Sequence, residues 1–185
     1  MKQLAFALFI ATAWCATSGA AHAQTFAPAP NSNYTVDLDS ADGRFSRWSA
    51  NDISGVDGLQ ATMTVRRLGH DPQFAPSFQV RLINASGGGA FKIIGSNGAL
   101  VATAQSWAGD KYIDNQTFVV APQLDTPFHL EMHWAADNSI SILIRTRTAE
   151  ERHEVRLGAP PGRLEVTSST GQVKLEELQL GRTSP

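Results

Sequence analysis

The sequence predicts an all-β fold, an antiparallel β-sandwich or jelly roll, and three observations carry that prediction. Residues 128–134 read Phe-His-Leu-Glu-Met-His-Trp. In a strand this alternation puts Phe128, Leu130, Met132 and Trp134 on one face and His129, Glu131 and His133 on the other. Short runs rich in Val, Ile, Thr, Phe and Leu recur along the chain at near-even spacing, with turn signals between them. No stretch carries a sustained helical period, and Glu150-Glu151-Arg152 can form one helical turn at most.

Taken in order, residues 1–23 read as a signal peptide. Lys2 gives a positive start, Leu4 to Ile10 is apolar, and Ala21-His22-Ala23 fits the small-x-small cleavage pattern. Residues 24–33, with Pro28 and Pro30 among small and polar neighbours, read as a linker. One β-sandwich domain is expected over 34–182. Its candidate strands are Tyr34–Leu38, Leu59–Arg67, Phe78–Asn84, Phe91–Gly95, Ala99–Trp107, Thr117–Val120, Phe128–Ala135, Ile140–Thr146, His153–Leu157, Leu164–Ser168 and Val173–Leu180. Asp137-Asn138 suits a hairpin, and Gly87-Gly88-Gly89, Asn97-Gly98, Pro160-Pro161-Gly162 and Thr170-Gly171 read as turns.

Composition bounds the function. Cys15 is the one cysteine and leaves with the leader, so the mature chain holds together by its core alone. A mature chain of about 160 residues suits one domain. The leader predicts export, with a periplasmic or secreted product, and after it nothing is long and apolar enough to span a bilayer. The formal net charge is −2, and the positive residues form no block, so nucleic acid is not an expected partner. A phosphate-cradling glycine loop, a Gly-x-Ser-x-Gly elbow, a dinucleotide fingerprint and Cys/His zinc spacing are all missing from the sequence. Nothing in it specifies an oligomeric state.

Three segments carry a resemblance. Asp57 to Arg67 resembles an early strand of the concanavalin A-like lectin/glucanase superfamily, which includes laminin G-like modules. Residues 127–146 resemble its hairpin, in which a Trp-ended strand turns through Asp-Asn into an aliphatic strand. Arg163 to Gly181 resembles its closing pair of strands. The resemblance implies a lectin-like sandwich. Glucanases of the superfamily carry alternating acids in a Glu-x-Asp-x-x-Glu type pattern, whereas the matching strand here has only Glu131, flanked by histidines. Glu176 and Glu177 are adjacent and face opposite ways unless a bulge intervenes.

The candidate ligand-binding residues are Gln79, Arg81, Trp107, Tyr112, His129, Glu131 and His133. His129, Glu131 and His133 form a polar strand face that hydrogen-bonds a ligand, takes a transition metal with a fourth ligand from a neighbour, or is simply solvated. Glu131 can equally pair with an arginine across the sheet, for which Arg81, beside Gln79 on a polar strand face, is one candidate. Trp107 and Tyr112 flank a loop, where aromatic faces can stack on sugar. Trp48 and Trp134 read as packing residues. Asp37, Asp39 and Asp42 precede Gly43 and read either as a calcium loop or as an acidic turn; no other cofactor is expected. The leading expectation is an exported, non-catalytic glycan- or ligand-binding module. The alternatives are a polysaccharide hydrolase or lyase, with a histidine base and an arginine clamp, and an envelope or adhesion module that binds another protein.

Overall fold

The computed structural model describes residues 25–184; the expected leader, with Cys15, lies outside the described residues. Ten antiparallel strands follow in chain order: β1 (Thr25–Asn51), β2 (Gly58–Leu68), β3 (Ser77–Ile83), β4 (Gly87–Ser96), β5 (Ala99–Ala108), β6 (Lys111–Thr117), β7 (Phe128–Trp134), β8 (Ser139–Arg145), β9 (Glu150–Arg156) and β10 (Arg163–Ser184). No helix occurs among the described residues, so none there is long and apolar enough to cross a membrane.

The long strands β1 and β10 build both layers. The first half of β10 pairs with β3, and its second half pairs with β2. β1 follows β10 along its length, shifting register between Ser40 and Phe45. One layer is therefore β6-β5-β4-β3 closed by the Arg163–Ser169 part of β10 and the Phe45–Asn51 part of β1. The other is β9-β8-β7-β2 closed by the remainder of both strands. The corner is cut by Gly43 at φ 69° and Thr170 at φ 56°, left-handed positions that turn an extended chain sharply.

The core fills the space between the layers. Phe78, Val80 and Leu82 of β3 and Phe91 and Ile93 of β4 face Leu130 and Met132 of β7 and Ile140, Ile142 and Ile144 of β8. Phe91 and Phe128 meet across the layers with ring centroids 6.0 Å apart. This burial, at roughly 25 cal/mol per Å² of apolar surface, is the main stabilising term for a chain without disulfides. Trp134 and the partly buried Trp48 pack with this core, as the sequence predicts.

The structure corrects several local expectations. Thr25–Pro28, read as linker, pairs with Gly181–Ser184. Proline is tolerated there because β1 is an edge strand, where a missing N–H breaks no second ladder. Gly87-Gly88-Gly89 is strand, not turn. The strand expected over Thr117–Val120 lies earlier, over β6, and the Glu150-Glu151-Arg152 segment opens β9. The two candidates Leu164–Ser168 and Val173–Leu180 are parts of the single strand β10.

Candidate ligand-binding face

The seven candidate residues divide between the two layers. Gln79 and Arg81 lie on β3 at alternate positions to the core residues Phe78, Val80 and Leu82, so they face outward. Register carries that outward face across six strands. Ser49, Glu165, Arg81, Ala90, Gln105 and Asn115 stand in one row. Asn51, Arg163, Ile83, Gly88, Trp107 and Tyr112 form the next. Trp107 and Tyr112, read as loop aromatics, are cross-strand partners at the mouth of a tight turn. Gln79, Arg81, Gln105, Trp107, Gly109, Asp110 and Tyr112 enclose a hollow of about 220 Å³.

Glu165 organises this face. It points outward from β10 yet is only 2% exposed. Arg163 Nη2 reaches its Oε1 at 3.1 Å, Arg47 Nη1 the same oxygen at 3.4 Å, and Arg81 Nη1 its Oε2 at 3.4 Å. Burying one carboxylate under three guanidinium groups keeps its lone pairs occupied, the condition for tolerating a buried charge. Arg81 also lies over the Trp107 ring, 5.0 Å from its centroid, a cation–π distance. Its Nε is buried without a hydrogen-bond partner among the described residues. Trp107 comes this low because Gly88 beneath it has no side chain: a Cβ there would stand 2.7 Å from Trp107 Cζ2. Gln105 Nε2 donates to Asn115 Oδ1 at 3.1 Å, which fixes the neighbouring amides. Tyr112, 66% exposed, forms the open rim.

His129, Glu131 and His133 sit on the outer face of the other layer, across the core from Arg81. The candidate partnership of Glu131 with Arg81 does not form: Arg81 is taken by Glu165, and the arginine near Glu131 is Arg145, at 3.9 Å. His129 Nε2 donates to Glu131 Oε1 at 2.9 Å, and His133 Nε2 stands 3.8 Å from its Oε2. The His129 hydrogen bond, supported by His133, holds the Glu131 carboxyl well below the usual carboxylate range. His129 borders a smaller hollow of about 180 Å³ with Gln60, Gln179 and Glu177. Glu177, at φ 51° in a register shift between Glu176 and Gln179, is the bulge on which the facing of those two glutamates depends.

The aspartates of residues 37–42 are bound into the surface. Asp39 accepts from Arg67 Nη2 at 2.8 Å, Asp42 lies 3.7 Å from Arg67 Nη1 and accepts the His70 N–H, and Asp37 accepts from Gln172. Among the described residues no three His, Cys, Asp or Glu side chains converge as metal ligands. Of the two readings of this segment, the geometry shows an acidic turn bridged by Arg67, which supplies positive charge beside Asp39 and Asp42.

Sequence reasoning missed Glu165, Arg47, Arg163, Gln105 and Asn115. The signal was present in Arg163-Leu164-Glu165-Val166-Thr167, a period-two alternation that puts the charged groups on one face. A wider hollow of about 720 Å³, bordered by Ile53, Val56, His133, Trp134, Ser141 and Arg152, was not foreseen either. It is built from three separate loops and strand ends.

No family model matches the chain, and no curated protein matches it by sequence. Solved structures do match it in shape. The legume lectin-like domain from Entamoeba histolytica superposes with a TM-score of 0.58 at 11% identity, over 78% of this chain and 82% of that one. Congerin II, in a lactose- and MES-liganded form, gives 0.52 at 13% identity, over 73% and 99%. The chain shares with them a concanavalin A-like, jelly-roll β-sandwich fold. A carbohydrate-binding module from Bacillus subtilis matches 84% of this chain and 98% of its own, with a TM-score of 0.50 and 10% identity.

Proposed function

We propose that the chain is an exported, non-catalytic glycan-binding module whose site is the outward face around Arg81 and Trp107. The observation that carries this reading is the Arg81 guanidinium, held between the buried carboxylate of Glu165 and the ring of Trp107. A sugar needs directional donors and acceptors for its hydroxyls and an apolar surface for its C–H face. Arg81, Gln79 and Gln105 supply the first, and Trp107 with Tyr112 supplies the second, around one hollow. The site is preorganised, since Arg81 is fixed before a ligand arrives.

The lectin and carbohydrate-binding character of the matched folds supports glycan as the ligand class. Export rests on the leader pattern of residues 1–23. The non-catalytic reading rests on the carboxylates: glycosidases commonly set two of them roughly 5–9.5 Å apart across the scissile bond. Here Glu165 is covered by three arginines.

The test is a glycan array with residues 24–185, repeated with Trp107→Ala. Specific binding that the substitution removes supports the site. A blank array, or binding indifferent to the substitution, overturns it.

A further inference from the structure

We infer that the sugar selected by this face is anionic, bearing a carboxylate or sulfate group. This deepens the glycan-binding reading and rests on it. Glu165 carries one negative charge and is contacted by three guanidinium groups. Two positive charges are left over at one spot. The side chains of Arg47 and Arg163 are 57% and 44% exposed, so their free N–H groups face solvent beside Arg81.

The wider face has the same sign. The registers of its six strands place Arg47, Arg163, Arg81 and Lys92 on it, with Glu165 as the carboxylate. Four cations against Glu165 and Asp110, which lines the hollow, give the face a formal charge of +2, on a chain whose net charge is −2. Lys111 alternates with Tyr112 on β6 and faces the other way. A protein negative overall whose one face carries a net positive charge favours negative ligands there.

The hydrogen-bond chemistry agrees. Guanidinium is a planar fork that matches the paired oxygens of a carboxylate or sulfate. Arg81 Nη1 is anchored on Glu165 and its Nε is buried, so the exposed forks of Arg47 and Arg163 present the free N–H groups. Repulsion among three clustered guanidinium groups is only part-relieved by one carboxylate, and a second anion relieves it further. Glu165 is thus one internal negative charge in a cluster that accommodates more, and the ligand brings another.

The test measures affinity by calorimetry for galacturonate oligomers, their methyl esters, sulfated galactan oligomers, the desulfated galactan and polyglutamate. At low salt the acid or sulfated form is expected to bind at least tenfold more tightly than its neutral counterpart. Raising the salt should narrow that ratio, and Arg47→Gln with Arg163→Gln should bring it close to one. Preference for galacturonate identifies carboxylate as the recognised group, and preference for the sulfated galactan identifies sulfate. Equal affinity for charged and neutral forms overturns the inference and leaves the glycan reading standing. Polyglutamate binding as well as the acidic sugars shows charge attraction without sugar recognition and also overturns it. Failure of every sugar to bind overturns the reading and the inference together. The two substitutions remove two of the three partners of Glu165, so a lower melting temperature is expected, and a single cooperative transition above the assay temperature confirms that the variant is folded.

Discussion

Glu165 Oε2 lies 3.4 Å from Arg81 Nη1, so a buried outward-facing carboxylate on β10 fixes the guanidinium that stands over Trp107. Glu165→Gln removes the charge and keeps the shape. Breaking a buried ion pair from one side typically costs 3–5 kcal/mol, but these arginines keep water contact, so about 2–3 kcal/mol is expected. Urea denaturation of the variant measures it. A change within 0.5 kcal/mol, the usual spread for an unimportant surface site, would show that the cluster does not organise the sheet.

Trp107→Ala removes both the ring under Arg81 and the apolar wall of the hollow. Affinity for a glycan ligand should fall about tenfold or more, equivalent to roughly 1.4 kcal/mol. Thermal stability should change little, since the ring packs on Gly88 at the sheet surface and not in the core. Glu131→Gln, on the opposite layer, should leave affinity unaltered. The reverse pattern would move the site to the His129–Glu131–His133 face.

Chelation should not weaken ligand binding. Arg67 already bridges Asp39 and Asp42, and a guanidinium occupying the acidic turn competes with a divalent cation for the same oxygens. Titration with EDTA present and absent checks this, and a large loss in EDTA would restore residues 37–42 as a calcium site.

Alternation was the most legible message in this chain. Phe128–Trp134 and Ser77–Ile83 display it completely, and both strands put the expected residues inward. What alternation leaves open is which layer a strand joins. That choice is made by long-range pairing of β10 with β3 in its first half and β2 in its second. The seven candidate residues therefore divide between two opposite faces, a separation that alternation alone does not reveal. Prolines and glycines misled for a related reason. Pro28 is a breaker in a central strand and harmless at an edge, and Gly88 is strand because Trp107 needs the space above it.

Acid should destabilise the protein partly through Glu131. Its folded carboxyl titrates far below the ordinary value near 4.5, chiefly because His129 hydrogen-bonds it and then because His133 stands 3.8 Å from its other oxygen. A group depressed in the folded state stabilises fully above its unfolded pKa and loses that contribution as pH falls toward the folded value. Glu131→Gln should therefore be less stable than the parent at pH 7, with the gap closing below about pH 4.5. Denaturant midpoints from pH 7 to pH 3 measure it, and a gap that stays constant with pH would exclude the linkage.

The final prediction concerns His133 and Gly58, which face each other across β7 and β2. A Cβ built at Gly58 would stand 2.5 Å from His133 Nδ1 and 3.0 Å from Cε1, with Phe26 close on the far side. The imidazole thus lies flat on a position that only glycine leaves open, and its Nδ1 is buried there without a partner among the described residues. Gly58→Ala must push the ring outward, disturbing its contact with Phe26 at 6.3 Å between centroids and its approach to Glu131. Such overpacking typically costs 1–3 kcal/mol, and about that loss is expected. In a His133→Ala background the added methyl meets no ring, so most of the loss should vanish. The double-mutant cycle should then give a coupling of about 1 kcal/mol or more. If Gly58→Ala costs the same in both backgrounds, the strain belongs to the β2 backbone and not to the imidazole.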